Sequence, residues 1–297
     1  MDKTAQRQRE IAAMREKSMK TYPQLWERMI SEWRQPGEQN CAWLMYSANY
    51  LFRTGNKRWA LDPYTLHSRL PGAADMFIEQ DLKDLDFVLL THRHADHLDL
   101  DLIRRLVQYP IQWVIPKALL PHVLENTGLS AKKVIIPRAN KSFEIRGIEV
   151  LPFDSIHWEW EPWTTSRSAS NAAKGLPETG YQVTVNGKKW LFPGDIRTYD
   201  SSLMPSLGLT DVIFAHLWLG RNQALKDNPV TVNKFCRFYL HLKPGRVIVT
   251  HLYELGRAAK SLWNEDHFRS VQRQFKNLSP NTQVEMAVLG NRILLTE

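Results

Sequence analysis

Phe87-Val88-Leu89-Leu90-Thr91-His92-Arg93-His94-Ala95-Asp96-His97-Leu98-Asp99 is the stretch that decides how the chain is read. Four apolar residues, Phe87 to Leu90, read as a short buried strand. They run straight into three histidines and an aspartate, His92, His94, Asp96 and His97. Leu98 to Tyr109 then reads as a helix closed by Pro110. The cluster therefore lies on the turn between a strand end and a helix start, where open α/β sheets bind their ligands. His92 and His94 are two apart, so in an extended turn both rings can face one cation. Asp96 and His97 are adjacent and diverge toward a second position close by. Neutral imidazole with carboxylate suits Zn, Mn or Fe, and the lack of cysteine here speaks against a closed structural zinc site. The plain alternative is a surface loop with incidental histidines, but a buried strand has no structural need to end this way.

The spacing His92-x-His94-x-Asp96-His97 resembles the signature of the metallo-β-lactamase superfamily. That resemblance implies an α/β fold, a four-layer αββα sandwich, with a dinuclear metal site and hydrolase chemistry. It also implies further ligands downstream, in a fixed order.

The bulk properties fit a globular enzyme. The chain has 297 residues, 43% hydrophobic and 24% charged, enough for one large domain. Only two cysteines, Cys41 and Cys236, are present, so a disulfide framework is not expected. The charged N-terminus has no apolar signal segment, and no stretch reaches the ~20 apolar residues of a membrane helix. Together these give the expectation of a cytoplasmic protein without a membrane span. The formal charge of +8 favours anionic partners. Its basic residues are scattered, which disfavours a dedicated nucleic-acid face without excluding one. A homo-oligomer stays open.

Along the chain, Thr4 to Trp33 reads as one or two amphipathic helices. Ile11, Met14, Met19, Leu25, Trp26, Met29, Ile30 and Trp33 form the apolar stripe, and Pro23 is expected to start a second helix. The break at Gln35-Pro36-Gly37 divides a helical extension, residues 1–36, from a hydrolase domain, residues 37–297. The extension is expected to pack on the main domain or on a partner chain. Ala42 to Phe52 reads as a strand, with a turn at Gly55-Asn56 and a second strand, Trp59 to Leu61, ending at Asp62-Pro63. Tyr181 to Val185 and Lys188 to Phe192 form a hairpin about Asn186-Gly187.

By the resemblance, the remaining ligands follow at strand ends. His157, after Phe153-Asp154-Ser155-Ile156, joins His92 and His94 on one metal. His251, after Arg246 to Thr250, joins Asp96 and His97 on the other. Asp195, in Pro193-Gly194-Asp195, bridges them. A water between the metals is then the nucleophile, with Asp96 orienting it. Two divalent ions, zinc first with manganese or iron open, complete the expectation. The superfamily also uses an aspartate at the position of Asp62 to support a ligating histidine, although a turn aspartate before proline reads equally well.

Substrate contacts are less determined. The His157-Trp158 pair resembles the branch that cleaves phosphodiesters and phosphorylated lactones. Trp158, Trp160 and Trp163 offer a wall for an apolar group, or a cap on the core. Thr164 to Ala173 suggests a flap. Ile196 stands where the family usually has a small or hydroxyl residue, and Arg197 offers a charge to an anion. His216 ends a strand where many relatives have a small or apolar residue, so it reads either as a contact in the site or as a packed core histidine. The expected function is hydrolysis of an ester-type bond in an anionic small molecule, a phosphodiester or a phosphosugar lactone. A nuclease of the same fold is the alternative. A di-iron redox protein, which usually has Glu at the position of His94, and a non-catalytic binding module are further ones.

Overall fold

A computed structural model of the chain describes residues 3–70, 76–159, 174–226 and 231–295. Trp160, Trp163 and the expected flap lie outside the described residues. The elements in order are α1 (Lys3–Arg34), β1 (Cys41–Leu44), β2 (Tyr50–Thr54), β3 (Lys57–Leu61), α2 (Leu66–Arg69), α3 (Ile78–Leu82), β4 (Phe87–Leu89) and α4 (Leu100–Leu106). They continue with β5 (Gln112–Val114), α5 (Leu120–Thr127), β6 (Val134–Ile135), β7 (Phe143–Ile145), β8 (Ile148–Asp154), β9 (Trp158–Glu159) and β10 (Lys174–Gly175). The last are β11 (Thr179–Val185), β12 (Lys188–Phe192), β13 (Thr210–His216), α6 (Thr231–His241), β14 (Pro244–Thr250), α7 (Glu265–Leu278), β15 (Gln283–Met286) and β16 (Arg292–Leu294).

The strands form two seven-stranded mixed sheets, ordered β16-β1-β2-β3-β4-β5-β6 and β15-β14-β13-β12-β11-β8-β7, with β9 and β10 as a separate ribbon. Alternation along each strand explains the layers. In β3 and β4, Trp59, Leu61, Phe87 and Leu89 point into the core shared with the second sheet, while Ala60 and Val88 point toward the helices α1 to α5. A strand buried on both faces must be apolar throughout, which is why Phe87 to Leu90 carries no alternation. The inter-sheet core is aromatic: Trp59 stacks between Phe52 and Phe87, and Phe192 stacks on Phe214. A third cluster joins the outer face of the second sheet to α6 and α7. The result is the expected αββα sandwich.

Two expectations are corrected. Ala42 to Phe52 is not one strand but β1 and β2, antiparallel, with Cys41 opposite Arg53 and Leu44 opposite Tyr50. The loop between them, Met45 to Asn49, is buried, so its composition imitates a strand. Pro23 lies inside a single helix α1 instead of opening a second one. Proline there costs one backbone hydrogen bond, but Tyr22, Trp26, Met29, Ile30 and Trp33 are buried around it and hold the helix on the domain. Trp33 Nε1 donates to the Phe52 carbonyl at 2.8 Å and Tyr22 Oη to the Met45 carbonyl at 2.7 Å.

Parallel strands β3 and β4, and likewise β12, β13 and β14, send their carboxyl ends to the same edge of the sandwich. Asp62, His92, Asp195, His216 and His251 follow the ends of these five strands or, for His216, close one.

Candidate metal centre

Two sets of donors meet at that edge. His92, His94, His157 and Asp195 form one, and Asp96, His97, Asp195 and His251 the other, each with its donor atoms within 4.8 Å of one another. Asp195 belongs to both and faces them with different oxygens. Its Oδ2 is 4.0 Å from His92 Nε2 and from His157 Nε2, while its Oδ1 is 3.5 Å from His97 Nε2 and 3.8 Å from His251 Nε2. His92 Nε2 and His94 Nδ1 lie 3.0 Å apart, and His251 Nε2 lies 3.2 Å from Asp96 Oδ2.

The far sides of the His97, His92 and His157 rings are anchored, as a ligating imidazole requires, whereas His251 Nδ1 is buried without a hydrogen-bond partner among the described residues. Asp62 Oδ2 is 2.8 Å from His97 Nδ1, while its Oδ1 accepts from the Thr91 backbone N–H at 2.7 Å. Glu178 Oε1 is 2.8 Å from His92 Nδ1. The same carboxylate accepts the Asp195 backbone N–H with both oxygens at 3.0 Å. His157 Nδ1 is bracketed by the backbone of Leu176 at 3.2 Å. His216 Nδ1 is 2.7 Å from Asp195 Oδ1, with its ring stacked against His97 and His251. His216 is therefore part of the cluster, not of the hydrophobic core.

Backbone strain concentrates here. Asp62 has φ +43° and His251 φ +66°, left-handed conformations that cost a non-glycine residue about 1–3 kcal/mol. Hydrogen bonds hold both: Asp62 N–H donates to the Leu89 carbonyl and His251 N–H to the Ser47 carbonyl, each at 2.9 Å. Asn49, fully buried, donates to the carbonyls of Asp62 and Asp96 at 2.8 and 2.9 Å and so ties the β1–β2 loop to the end of β3 and to the turn that follows β4. Gly194 is required for two reasons. Its φ is +81°, and a Cβ there would lie 2.4 Å from the Glu178 carboxylate.

The electrostatics fit a cation. Burial and the His97 charge push His92 down to about 3, and burial pushes His94 and His157 down to about 4, so all three offer free lone pairs at neutral pH. Burial opposes a charge on His97, but Asp195, Asp96 and Asp62 outweigh it and raise this ring well above the usual histidine range. A positive charge is thus favoured at that point, as a proton or as a metal. His97 Nε2 and His157 Nε2 are buried with no hydrogen-bond partner among the described residues, although both face the cluster. Buried polar atoms are rarely left so, and a divalent cation held by these donors satisfies them. The His/Asp composition suits Zn, Mn or Fe.

Two of the sequence candidates lie beside the donors without being among them, and the Arg197 charge adds to burial in holding His94 and His157 low. The Arg197 guanidinium lies over the Trp218 ring at 4.7 Å. Trp158 lines a cavity with Pro116, Lys117, Asp154 and Glu178. Sequence reasoning missed Glu178, Asn49, Glu254 and Arg257. Glu254 is buried beside His251, 3.6 Å from its Nε2. Burial and the Asp96 charge push its carboxyl up to about 8, against the pull of Arg257 and Arg69, which both contact it. The acid three residues after the last ligand, with an arginine three further on, was the available signal.

Residues 62–252 match the family model of the β-lactamase superfamily domain. The chain belongs to the β-lactamase superfamily. Membership in that superfamily supports a hydrolase. A curated relative, the N-acyl-phosphatidylethanolamine-hydrolyzing phospholipase D 1 of Caenorhabditis elegans, is 39% identical over 124 residues, 39% of this chain and 33% of that protein. The match thus spans about a third of that relative's length. Among solved structures, a metallo hydrolase from the hyperthermophilic archaeon Ignicoccus hospitalis is similar with a TM-score of 0.59, 14% identity, and coverage of 86% of this chain and 97% of that one. A metallo-β-lactamase fold protein from Bacillus subtilis gives a TM-score of 0.58 and 15% identity, covering 86% and 98%. A di-iron β-hydroxylase from Streptomyces venezuelae gives 0.58 and 16%, covering 88% of this chain and 54% of that one. These likenesses are in fold. Among the described residues no helix is long and apolar enough to cross a membrane.

Proposed function

We propose that this β-lactamase superfamily chain is a dinuclear hydrolase of an anionic small ester, a phosphodiester before a phosphosugar lactone. The observation that carries the reading is the division of Asp195 between two donor sets, one oxygen toward each. One carboxylate can serve two metals about 3.5–4 Å apart in this way. His92, His94 and His157 would hold one ion, Asp96, His97 and His251 the other, and zinc fits best, with manganese or iron as alternatives. When bound, such ions supply Lewis acidity toward water and toward the scissile oxygen.

The chain's own residues do the rest. Asp62 and Glu178 fix the tautomers of His97 and His92 by holding their Nδ1 atoms, leaving each Nε2 to the centre. His216 steadies the shared carboxylate of Asp195. Asp96, buried and held well below the usual carboxylate range by His97 and His251 in spite of burial, stays ionised and so can orient an attacking water by accepting its hydrogen bond. The formal charge of +8 draws anions toward the edge. The relative's name adds support for a phosphodiester, because an N-acyl-phosphatidylethanolamine is one. His94 in place of glutamate speaks against di-iron redox chemistry despite the hydroxylase neighbour.

The test is a panel of nitrophenyl phosphodiesters, a lactone, a thioester and a short RNA, each assayed with Zn and with Mn. Turnover of the phosphodiesters, abolished by Asp195→Asn, is expected. Turnover of RNA alone would overturn the substrate class in favour of the nuclease alternative.

A further inference from the structure

Arg197 follows Asp195 closely in the chain, and among the described residues no carboxylate pairs with its charge. Its Nε is buried without a hydrogen-bond partner there. Charges withdrawn from water are normally paired. Arg257, at the second donor set, is the opposite case, since Glu254 and Asp96 both pair with it.

The place of the Arg197 charge is fixed by its neighbours. The Arg197 backbone N–H donates to the Ile156 carbonyl at 3.0 Å, next to His157. Thr198 Oγ1 donates to the Trp158 carbonyl. The guanidinium lies over the Trp218 ring at 4.7 Å. Trp218 is itself held: its ring meets Trp263 edge-on at 6.2 Å, and its carbonyl accepts from Tyr199 Oη. Arg197 thus joins the segments that follow β8 and β13, both at the edge where the donors meet. From there its charge acts on His94 and His157. A cation–π contact cancels none of that charge and occupies none of the guanidinium's N–H donors.

This position separates two kinds of substrate. In a phosphodiester the negative charge lies on the non-bridging oxygens of the group that reacts. In a phosphosugar lactone the reacting carbonyl is neutral and the phosphate is several bonds away. A cation close enough to act on the His94 and His157 rings suits the first. We propose, on the reading of this edge as a hydrolytic centre, that Arg197 selects a charged reacting group: its guanidinium, held on Trp218 beside His157, binds a non-bridging oxygen of a phosphodiester. A charge-assisted hydrogen bond of this kind favours an anion over its neutral analogue by about tenfold or more.

The experiment is calorimetric titration of the zinc-loaded full chain with dimethyl phosphate and with trimethyl phosphate, which differ by one charge. The parent is expected to prefer the anion. Arg197→Gln should weaken dimethyl phosphate by about tenfold or more, with zinc uptake unchanged and trimethyl phosphate weak in both proteins. Arg197→Lys keeps the charge without the planar fork and should fall between them. Should Arg197→Gln fail to fold in a thermal melt, Arg197→Met keeps an unbranched stem on the indole and should show the same loss. With bis-nitrophenyl phosphate as substrate, KM should rise in the neutral variants. Dimethyl phosphate bound as tightly by the neutral variants as by the parent, or not bound by the parent, would overturn the inference and leave the hydrolase reading standing. Absence of phosphodiester turnover with the preference for the anion intact would overturn the proposed substrate and leave Arg197 as an anion site.

Discussion

Asp195 is the residue on which both donor sets depend, and its position is made by glycine. Gly194 turns left-handed at the end of β12 and lets the Glu178 carboxylate receive the Asp195 N–H, so the same glutamate holds the aspartate's backbone and the His92 ring. Glu178→Gln keeps the size but weakens the grip on His92 Nδ1. Metal affinity should fall about 10–100-fold while the fold persists, as measured by metal titration and a thermal melt. An unchanged affinity would remove Glu178 from the account. Asn49→Ala leaves the buried carbonyls of Asp62 and Asp96 without their donor and should cost about 1–3 kcal/mol in denaturant unfolding. The candidate donors were legible because each stands at the end of an apolar run, in a pattern with defined spacing. Glu178 and Asn49 were not. Each acts across the fold, and neither has a neighbour in sequence that marks it: Asn49 lies in an apolar stretch, Glu178 at the end of an irregular one.

The element least legible in sequence is also the one that reaches furthest. Periodicity gave the apolar stripe of α1, but proline at 23 argued for a break that burial of Tyr22 and Trp26 overrides. Nor does the stripe show that Arg15, on the same helix, holds the loop following His251. Strands and hairpins with alternating or doubly buried patterns were readable to within a few residues. The β1–β2 pair was not, because its buried loop is as apolar as the strands. Trp33, fully buried and hydrogen-bonded to Phe52, should cost about 3–5 kcal/mol when changed to Ala. Deleting residues 3–34 uncovers the first sheet's outer cluster and should bring aggregation, seen by light scattering. A truncated chain that stays monodisperse and active would contradict this.

For the whole molecule, the buried histidines set how stability responds to acid in the absence of metal. His92, His94 and His157 have folded values of about 3 to 4 against 6.5 when unfolded, so between pH 6.5 and about 4 the unfolded chain binds protons that the folded chain refuses. Stability must then fall as pH falls through that window. Glu254, raised to about 8, works in the opposite sense, one group against these three and against His251 and His267, which are also lowered. His97, with its folded value raised, is protonated in both states below 6.5 and adds no slope there. The melting midpoint in chelator is expected to drop steadily from pH 6.5 toward pH 4, and a flat or rising midpoint would contradict the burial of neutral imidazoles.

All of this turns on two cations sharing Asp195. The most direct measurement is an anomalous scattering map from crystals grown with Zn²⁺. Two peaks about 3.5–4 Å apart are predicted, one among His92, His94 and His157 and one among Asp96, His97 and His251, with Asp195 between them. A single peak under saturating metal, or peaks away from these side chains, would contradict the account.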